Sequence, residues 1–540
     1  MAVTLPSGYR PRMWIWLWAG CQSTDGEEVG SPKITEGPSL TASSEEVRLV
    51  RLLTVSTDQA TTATVLLDMD GERREITFPD RATTHVLPLL GLLADTPITA
   101  TVTLTAEDGD TVTADPVAFT VSDLFVPAPD VTLLVSDRSR AEPGYTLIPS
   151  DAPDTGITVL QAVDLDGRVV WQYRPSLAGA IASAQSHADG TVSALIGGRF
   201  ARRFDFADRS HVSWSPTEDV LADEIPVDVP GFHHEVAFEP DGSFWTLHKK
   251  NVRVDDYPLD SDDLTVRGPA TLDADMVVHI APDGVVLGSW LLTDYLDPQR
   301  IGFDATDEVA GGDLAWSHAN AIAPLGDADQ TFLVSVRHQD VVVKIRGSTN
   351  EAVWILGNHD GWAPGYEPLL LEPEEPLLWF IHQHAPAIDA QGEIVLFDNG
   401  NYGHANPYMQ SPPGIDESRV VRYAVDEVAH TVRETFAFVA DADVDPLFSQ
   451  ALGNADPLPT TGNLLATFSY VKRELGIPNV DLGLGEQSIR VIEVAPDDGT
   501  VVWDLRMNGS YEVSPLGWQS DRAIRVPSLY PPDVVVRVVE

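Results

Sequence analysis

The chain has 540 residues, with 34 Lys and Arg against 82 Asp and Glu, a formal net charge of −48. So few cations exclude nucleic acid and anionic membrane surfaces as partners, because such binding needs clustered positive charge. Apolar residues at 43% and 13 Trp exclude a disordered chain, so the dispersed acids read as a solvated, self-repelling surface.

The N-terminus comes first. Cys21 is the sole cysteine, so no intrachain disulfide and no multi-cysteine metal site can form. It follows Arg10, Arg12 and the short apolar run Met13 to Ala19. A basic flank, a short apolar core and Ala19-Gly20-Cys21 resemble a bacterial lipoprotein signal. Residues 1–33 are therefore read as signal and tether, with Cys21 as the lipidated residue. The expected location is periplasmic or extracellular, with a lipid anchor. The apolar run is too short to span a bilayer.

Residues 34–124 read as a small β-sandwich. The segments 47–55, 63–68, 75–78, 98–105 and 117–121 are short and β-branched, and Asp70-Gly71 and Asp108-Gly109 break them. Nothing in this unit carries obvious chemistry, and it is read as a scaffold or homodimerisation unit.

Residues 125–540 repeat themselves. One element is a turn, a Val-rich strand and an aromatic anchor. Asp166 to Trp171 and Asp498 to Trp503 are nearly identical, and looser copies end at Trp214, Trp290, Trp354 and Phe436. A second element follows, a short strand running into a turn glycine. Repeats of this length made only of strands mean a propeller, and six anchors mean six blades. The fold expected is all-β, a six-bladed β-propeller behind a small sandwich. At roughly 70 residues per blade, against the usual ~45, loops must be long. Segments 255–273 and 366–376 are read as insertions.

Eight residues before each turn glycine stand Ala182, His234, His318, His384 and Asn454. Equivalent positions in a pseudo-symmetric ring point the same way, so three histidines should converge at the channel mouth. Strand alternation adds Asn320, two after His318, and His382, two before His384. His233 should point away from His234. The strand Phe332 to Val336 ends in Arg337, whose planar fork suits sulfate, phosphate or carboxylate oxygens. Three readings stay open on these residues. An imidazole acts as nucleophile or general acid/base; three imidazoles hold a metal ion for hydrolysis or lyase chemistry; or the propeller binds ligands without chemistry. A cation at Arg337 disfavours the metal.

The segments Trp316 to Ile322, Leu333 to Arg337, Val353 to Gly357, Gln383 to Ala387, Ile394 to Gly400 and Ser418 to Tyr423, with Phe232 to Val236 upstream, resemble the bacterial arylsulfate sulfotransferases of the PAPS-independent type. The resemblance covers roughly residues 40 to 535. It implies ping-pong transfer of a sulfuryl group from a small aryl sulfate to a phenol, with no cofactor and no metal. It makes His384 the transient nucleophile, and has His234, His318, Asn320 and Arg337 cradle the sulfuryl oxygens and assist proton transfer. Asn454, at the matching position of the last repeat, joins the set as a substrate contact. The chain departs from periplasmic relatives in lacking their cysteine pair.

Overall fold

The computed structural model describes residues 30–539, apart from 126–127, 177–178, 218–223, 262, 303–312, 403–406, 409–415, 441–446, 475–476, 479–485 and 509–515. Cys21 and residues 1–29 of the segment read as signal and tether lie outside the described residues.

Six small, mainly antiparallel sheets form the blades of a propeller. All six aromatic anchors sit on the fourth strand of a blade, counted from the axis. The sequence repeat has a direct structural cause. The indole N–H of Trp171 donates to the Phe206 carbonyl of blade two at 2.7 Å, and Trp214 to Pro282 of blade three at 2.9 Å. Trp290 reaches Gly347 of blade four, Trp354 reaches Glu427 of blade five, and Trp503 reaches Leu165 of blade one. Each of these five tryptophans therefore buries its ring and ties one blade to the outer turn of the next. Phe436 fills the same place in blade five without a donor.

The second repeated element supplies the innermost strand of the following blade: Ile181–Ser186, His233–Phe238, Ala319–Pro324, His384–Ile388 and Asn454–Pro457 in blades two to six. Neighbouring inner strands pack side by side around the axis. The ring closes twice. Ile524–Val526, near the chain's end, is the innermost strand of blade one, and Asp130–Ser136 adds to the outer edge of blade six. That explains the sixth copy of the repeat, which lacks its turn: the chain leaves the ring there instead of making a hairpin.

Two expectations of extent change. The N-terminal unit joins seven strands in one antiparallel hydrogen-bonded set. Its long strands Arg51–Met69 and Glu72–Leu89 join at the expected Asp70-Gly71 turn, where both residues have positive φ, and slip register between Ser56 and Ala63. Strand alternation is regular where one face is buried, as in Ile98–Thr105. The propeller also stops short of residue 540, because Val535–Val539 pairs with Glu72–Leu89 in the N-terminal sheet. Finally, segment 255–273 is not a free loop. It belongs to a long hairpin, Phe244–Pro258 with Arg267–Ile280, the second and third strands of blade three. Segment 366–376 runs along the rim of blade five, where Glu372–Pro373 pairs in parallel with its outer strand.

Candidate active site

The histidines are carried by the first residues of neighbouring inner strands. His233 and His234 begin the inner strand of blade three, His318 precedes that of blade four, and His384 begins that of blade five. In blades two to five the register of this strand slips within its first residues. Such a bulge twists the strand and re-aims its side chains. His234 and His318 adopt left-handed backbone angles, φ 57° and 45°, and His382 does so at 59°. Each costs about 1–3 kcal/mol, which the packed ring around them must hold in place.

The result is a chain of imidazoles across three blades. Ring centroids lie 5.0 Å apart for His234 and His318, 4.6 Å for His318 and His338, and 6.4 Å for His338 and His382. His384 follows, with its Nδ1 3.0 Å from the His382 carbonyl oxygen. Arg337 opens the tight turn after the strand Thr331–Val336 and is almost fully buried. Its charge bears on His318, His338 and His384 alike. The three histidines singled out by repeat position and Arg337 are thus brought together.

His384 is held in one tautomer. Its Nδ1 faces two acceptors, the His382 carbonyl and Asn399 Oδ1 at 2.6 Å. The Asn399 amide cannot flip, because its Nδ2 donates to the carbonyls of Ser449 and Leu452 at 2.7 and 2.9 Å. Nδ1 therefore carries the proton, and Nε2 keeps its lone pair. Burial, then the Arg337 charge, push the His384 imidazole down to about 3, against the two Nδ1 contacts, so it stays neutral. The support beneath is rigid. Asp398 is fully buried, pairs with Arg419 at 2.7 Å, and accepts the backbone N–H of Ile381 and Gly400. Gly400 turns away from Asn399 at φ 65°, and a Cβ there would collide with the Glu417 carbonyl.

His234 and His318 are also held well below the ordinary histidine value, chiefly by burial and then by neighbouring imidazoles. Burial and the Arg337 charge push His338 down to about 3, and its Nδ1 donates to the Ala315 carbonyl at 3.1 Å. Asn320 is buried and donates to the Gln383 carbonyl at 2.8 Å, which places it beside His384. Its Oδ1 has no hydrogen-bond partner among the described residues.

Asn454 is placed differently from the expectation. Both ends of its amide meet the backbone of Ala523, Nδ2 donating to the carbonyl and Oδ1 accepting the N–H. It fastens blade six to the closing strand. His233 is likewise not turned away: its Nδ1 lies 2.7 Å from His234 Nδ1. His338, Asn399 and Asp275 are site residues that repeat position could not find, since each comes from a part of its blade with no histidine in the matching copies. Among the described residues no three His, Cys, Asp or Glu side chains are disposed to share a metal ion.

Past the histidines, a charged cluster bridges blade three and the other half of the ring. Arg522 pairs with Glu235 at 2.7 Å and lies beside Asp521 and Asp456. Ser183 bonds Glu235 through its hydroxyl and Asp521 through its N–H. This cluster borders a channel cavity of about 450 Å³ with walls of Ala237, Ile322, Pro386 and Ile388.

A six-bladed propeller with a row of imidazoles beside the buried Arg337 guanidinium at its axis defines a class of site suited to an anionic group. Residues 135–519 match the family model of the arylsulfotransferases (ASST), and the chain belongs to that family. Aryl sulfotransfer on small aryl substrates is the general activity this membership supports. No curated protein matches the sequence significantly. Among solved structures, a catalytically inactive virginiamycin B lyase from Staphylococcus aureus bound to quinupristin aligns at 9% identity and TM-score 0.30, covering 85% of this chain and 99% of that one. A quinohemoprotein alcohol dehydrogenase from Comamonas testosteroni aligns at 11% identity and TM-score 0.27, covering 70% of this chain and 64% of the other.

Proposed function

We propose that the protein moves a sulfuryl group from an aryl sulfate ester to a phenol in two steps, through a sulfohistidine at His384. The observation that carries this reading is the fixed tautomer of His384, a buried neutral imidazole with its Nε2 lone pair available. In the first step Nε2 attacks sulfur, the bond from sulfur to the aryl oxygen breaks, and the phenol leaves with a proton from His234. The sulfated ring gains positive charge, and its Nδ1–H stays bonded to Asn399 Oδ1. In the second step an acceptor phenol gives its proton back to His234, its oxygen attacks sulfur, and the S–N bond breaks. Arg337 and His318 meet the negative charge on the sulfuryl oxygens from fixed positions in a site poor in water. Asn320 Oδ1 is an acceptor for the phenol hydroxyl. No bond in this cycle needs a metal or a nucleotide.

The test is a burst experiment. With 4-nitrophenyl sulfate and no acceptor, the enzyme is expected to release about one equivalent of nitrophenol and to retain one sulfuryl group on His384, read by mass spectrometry. His384→Ala is expected to lose both. Turnover that persists in the variant, or label on another residue, would end the reading.

A further inference from the structure

The pair His233 and His234 does more than touch. His234 Nδ1 and His233 Nδ1 are 2.7 Å apart, a distance that requires one shared proton, since two lone pairs or two N–H groups would repel. On its far side His233 Nε2 lies 3.0 Å from Asp275 Oδ1. Asp275 is completely buried, on the third strand of blade three. Its Oδ2 accepts the Ser317 hydroxyl at 2.7 Å and the Ala319 N–H at 2.6 Å, and Lys249 Nζ stands 3.1 Å from Oδ1. Burial alone would raise this carboxyl, but His233, Lys249 and Ser317 outweigh it and hold the group well below the usual range. The contact is an ion-pair approach and not a well-angled hydrogen bond, and a hydrogen on His233 Nε2 suits it, since a lone pair there would face the negative carboxylate.

We propose that Asp275 and His233 are positioning residues that form a proton relay behind His234, storing the proton exchanged in each half of the sulfuryl-transfer cycle. This rests on the sulfuryl-transfer reading above. In the resting enzyme His233 carries hydrogens on both nitrogens, and its charge faces Asp275. His234 is then neutral, with its hydrogen on Nε2. When the aryl oxygen leaves, Nε2–H gives it the proton, and the shared proton crosses from His233 Nδ1 to His234 Nδ1. His233 becomes neutral and keeps its Nε2–H toward Asp275. His234 Nε2 is now a lone pair, ready to take the proton of the acceptor phenol, which sends the shared proton back. One proton leaves and one returns per cycle, so no outside acid or base is needed. The position of His234 supports the direction of transfer, because burial and the adjacent His233 both oppose charge on it. The two-histidine arrangement is also peculiar to blade three. In blade five the residue before His384 is Gln383, and in blade four Ser317 precedes His318.

The relay predicts a dependence on the leaving group. Phenol, with a pKa near 10 as in tyrosine, needs a proton to leave, whereas nitrophenol is a far weaker base. His233→Gln and Asp275→Asn are expected to slow burst release from phenyl sulfate about 100-fold more than release from 4-nitrophenyl sulfate, the size usual for general acid catalysis. His233→Gln leaves every other bond of Asp275 in place, so it remains informative if Asp275→Asn fails to fold. Equal losses on both donors in folded His233→Gln would overturn the relay. A second readout does not use turnover. In wild-type protein labelled with ¹⁵N-histidine, a coupling through the hydrogen bond between the two Nδ1 atoms is expected, and it should vanish in His233→Gln. If the wild type releases no aryl product from either donor, the sulfuryl-transfer reading fails, and the coupling alone then decides whether the shared proton exists. Its absence would overturn the relay.

Discussion

Blades three to five and blades six, one and two present the same stretch of innermost strand to the axis, yet fill it differently. The first half-ring carries imidazoles, one per blade or more, with Arg337 between them. The second carries Asn454, Ala182 and Ser183, and its polar groups are used on one another and on Glu235 of blade three: Asn454 on Ala523, Ser183 on Glu235 and Asp521, Arg522 on Glu235. Pseudo-symmetry therefore delivers six equivalent places, of which three are free for chemistry and the rest hold the ring closed. The closing side needs this, because its inner strand in blade one is borrowed from the far end of the chain. The reactive side has continuous hairpins, and left-handed backbone gathers there at His234, His318, His382 and Ala385, against Ser183 on the inner strand of blade two.

The comparison breaks most sharply at Arg337. Its guanidinium can meet two sulfuryl oxygens at once, and a lysine cannot. Arg337→Lys is expected to lower the burst rate about 100-fold, mostly in the rate of the first step and less in apparent donor affinity, as for loss of one transition-state donor. Stopped-flow release of nitrophenol at several donor concentrations measures both. A loss confined to affinity would mean that Arg337 only gathers the anion.

Asn454 tests the other side. Asn454→Ala removes two amide contacts to Ala523, which are long at 3.4 and 3.3 Å, while Thr467 Oγ1 still accepts the same N–H at 2.8 Å. The expected cost is about 1 kcal/mol of stability, seen as a lower midpoint in denaturant, with donor KM changed less than twofold. A KM several-fold higher at unchanged stability would return Asn454 to the substrate.

Most of the architecture was legible because its cause is local and repeated. The aromatic anchors mark fourth strands since each must reach the next blade, and the turn glycines count back to the inner strands. The three histidines follow from that count alone. The count fails where the backbone is not a regular strand. Strict alternation turned His233 away, but the register slips between His233 and Val236, so both imidazoles face one network. His338 lies in the tight turn beyond Arg337, Asn399 after the second strand of blade five, and Asp275 on a third strand. None recurs, so no spacing marks them. Val535–Val539 reads as propeller in the sequence because its pairing partner lies more than 400 residues away, a contact that no local pattern records.

The two half-rings also respond to pH with opposite sign, which gives the finest test of their difference. His338 and His384 fall from 6.5 to about 3 on folding. Unfolded histidines bind protons there that the folded ones refuse, so the stability they contribute is full above pH 6.5 and is lost as pH falls below it. Asp456 goes the other way. Burial raises it from 3.8 to about 6, although Arg522 opposes the rise. The folded protein then holds that proton more tightly than the unfolded chain, so the associated stability is present below pH 3.8 and is lost as pH climbs through 6. Asp456→Asn keeps the shape and removes the charge. It is expected to raise Tm by roughly 2 °C at pH 7.5 and to change it little at pH 4.5, where the wild-type carboxyl is already protonated. The burst rate of the first half-reaction should stay near that of the wild type at both values, since Asp456 touches none of the imidazoles. If Tm rises equally at both, the gain comes from packing and not from charge, and the contrast between the two half-rings does not extend to their titration.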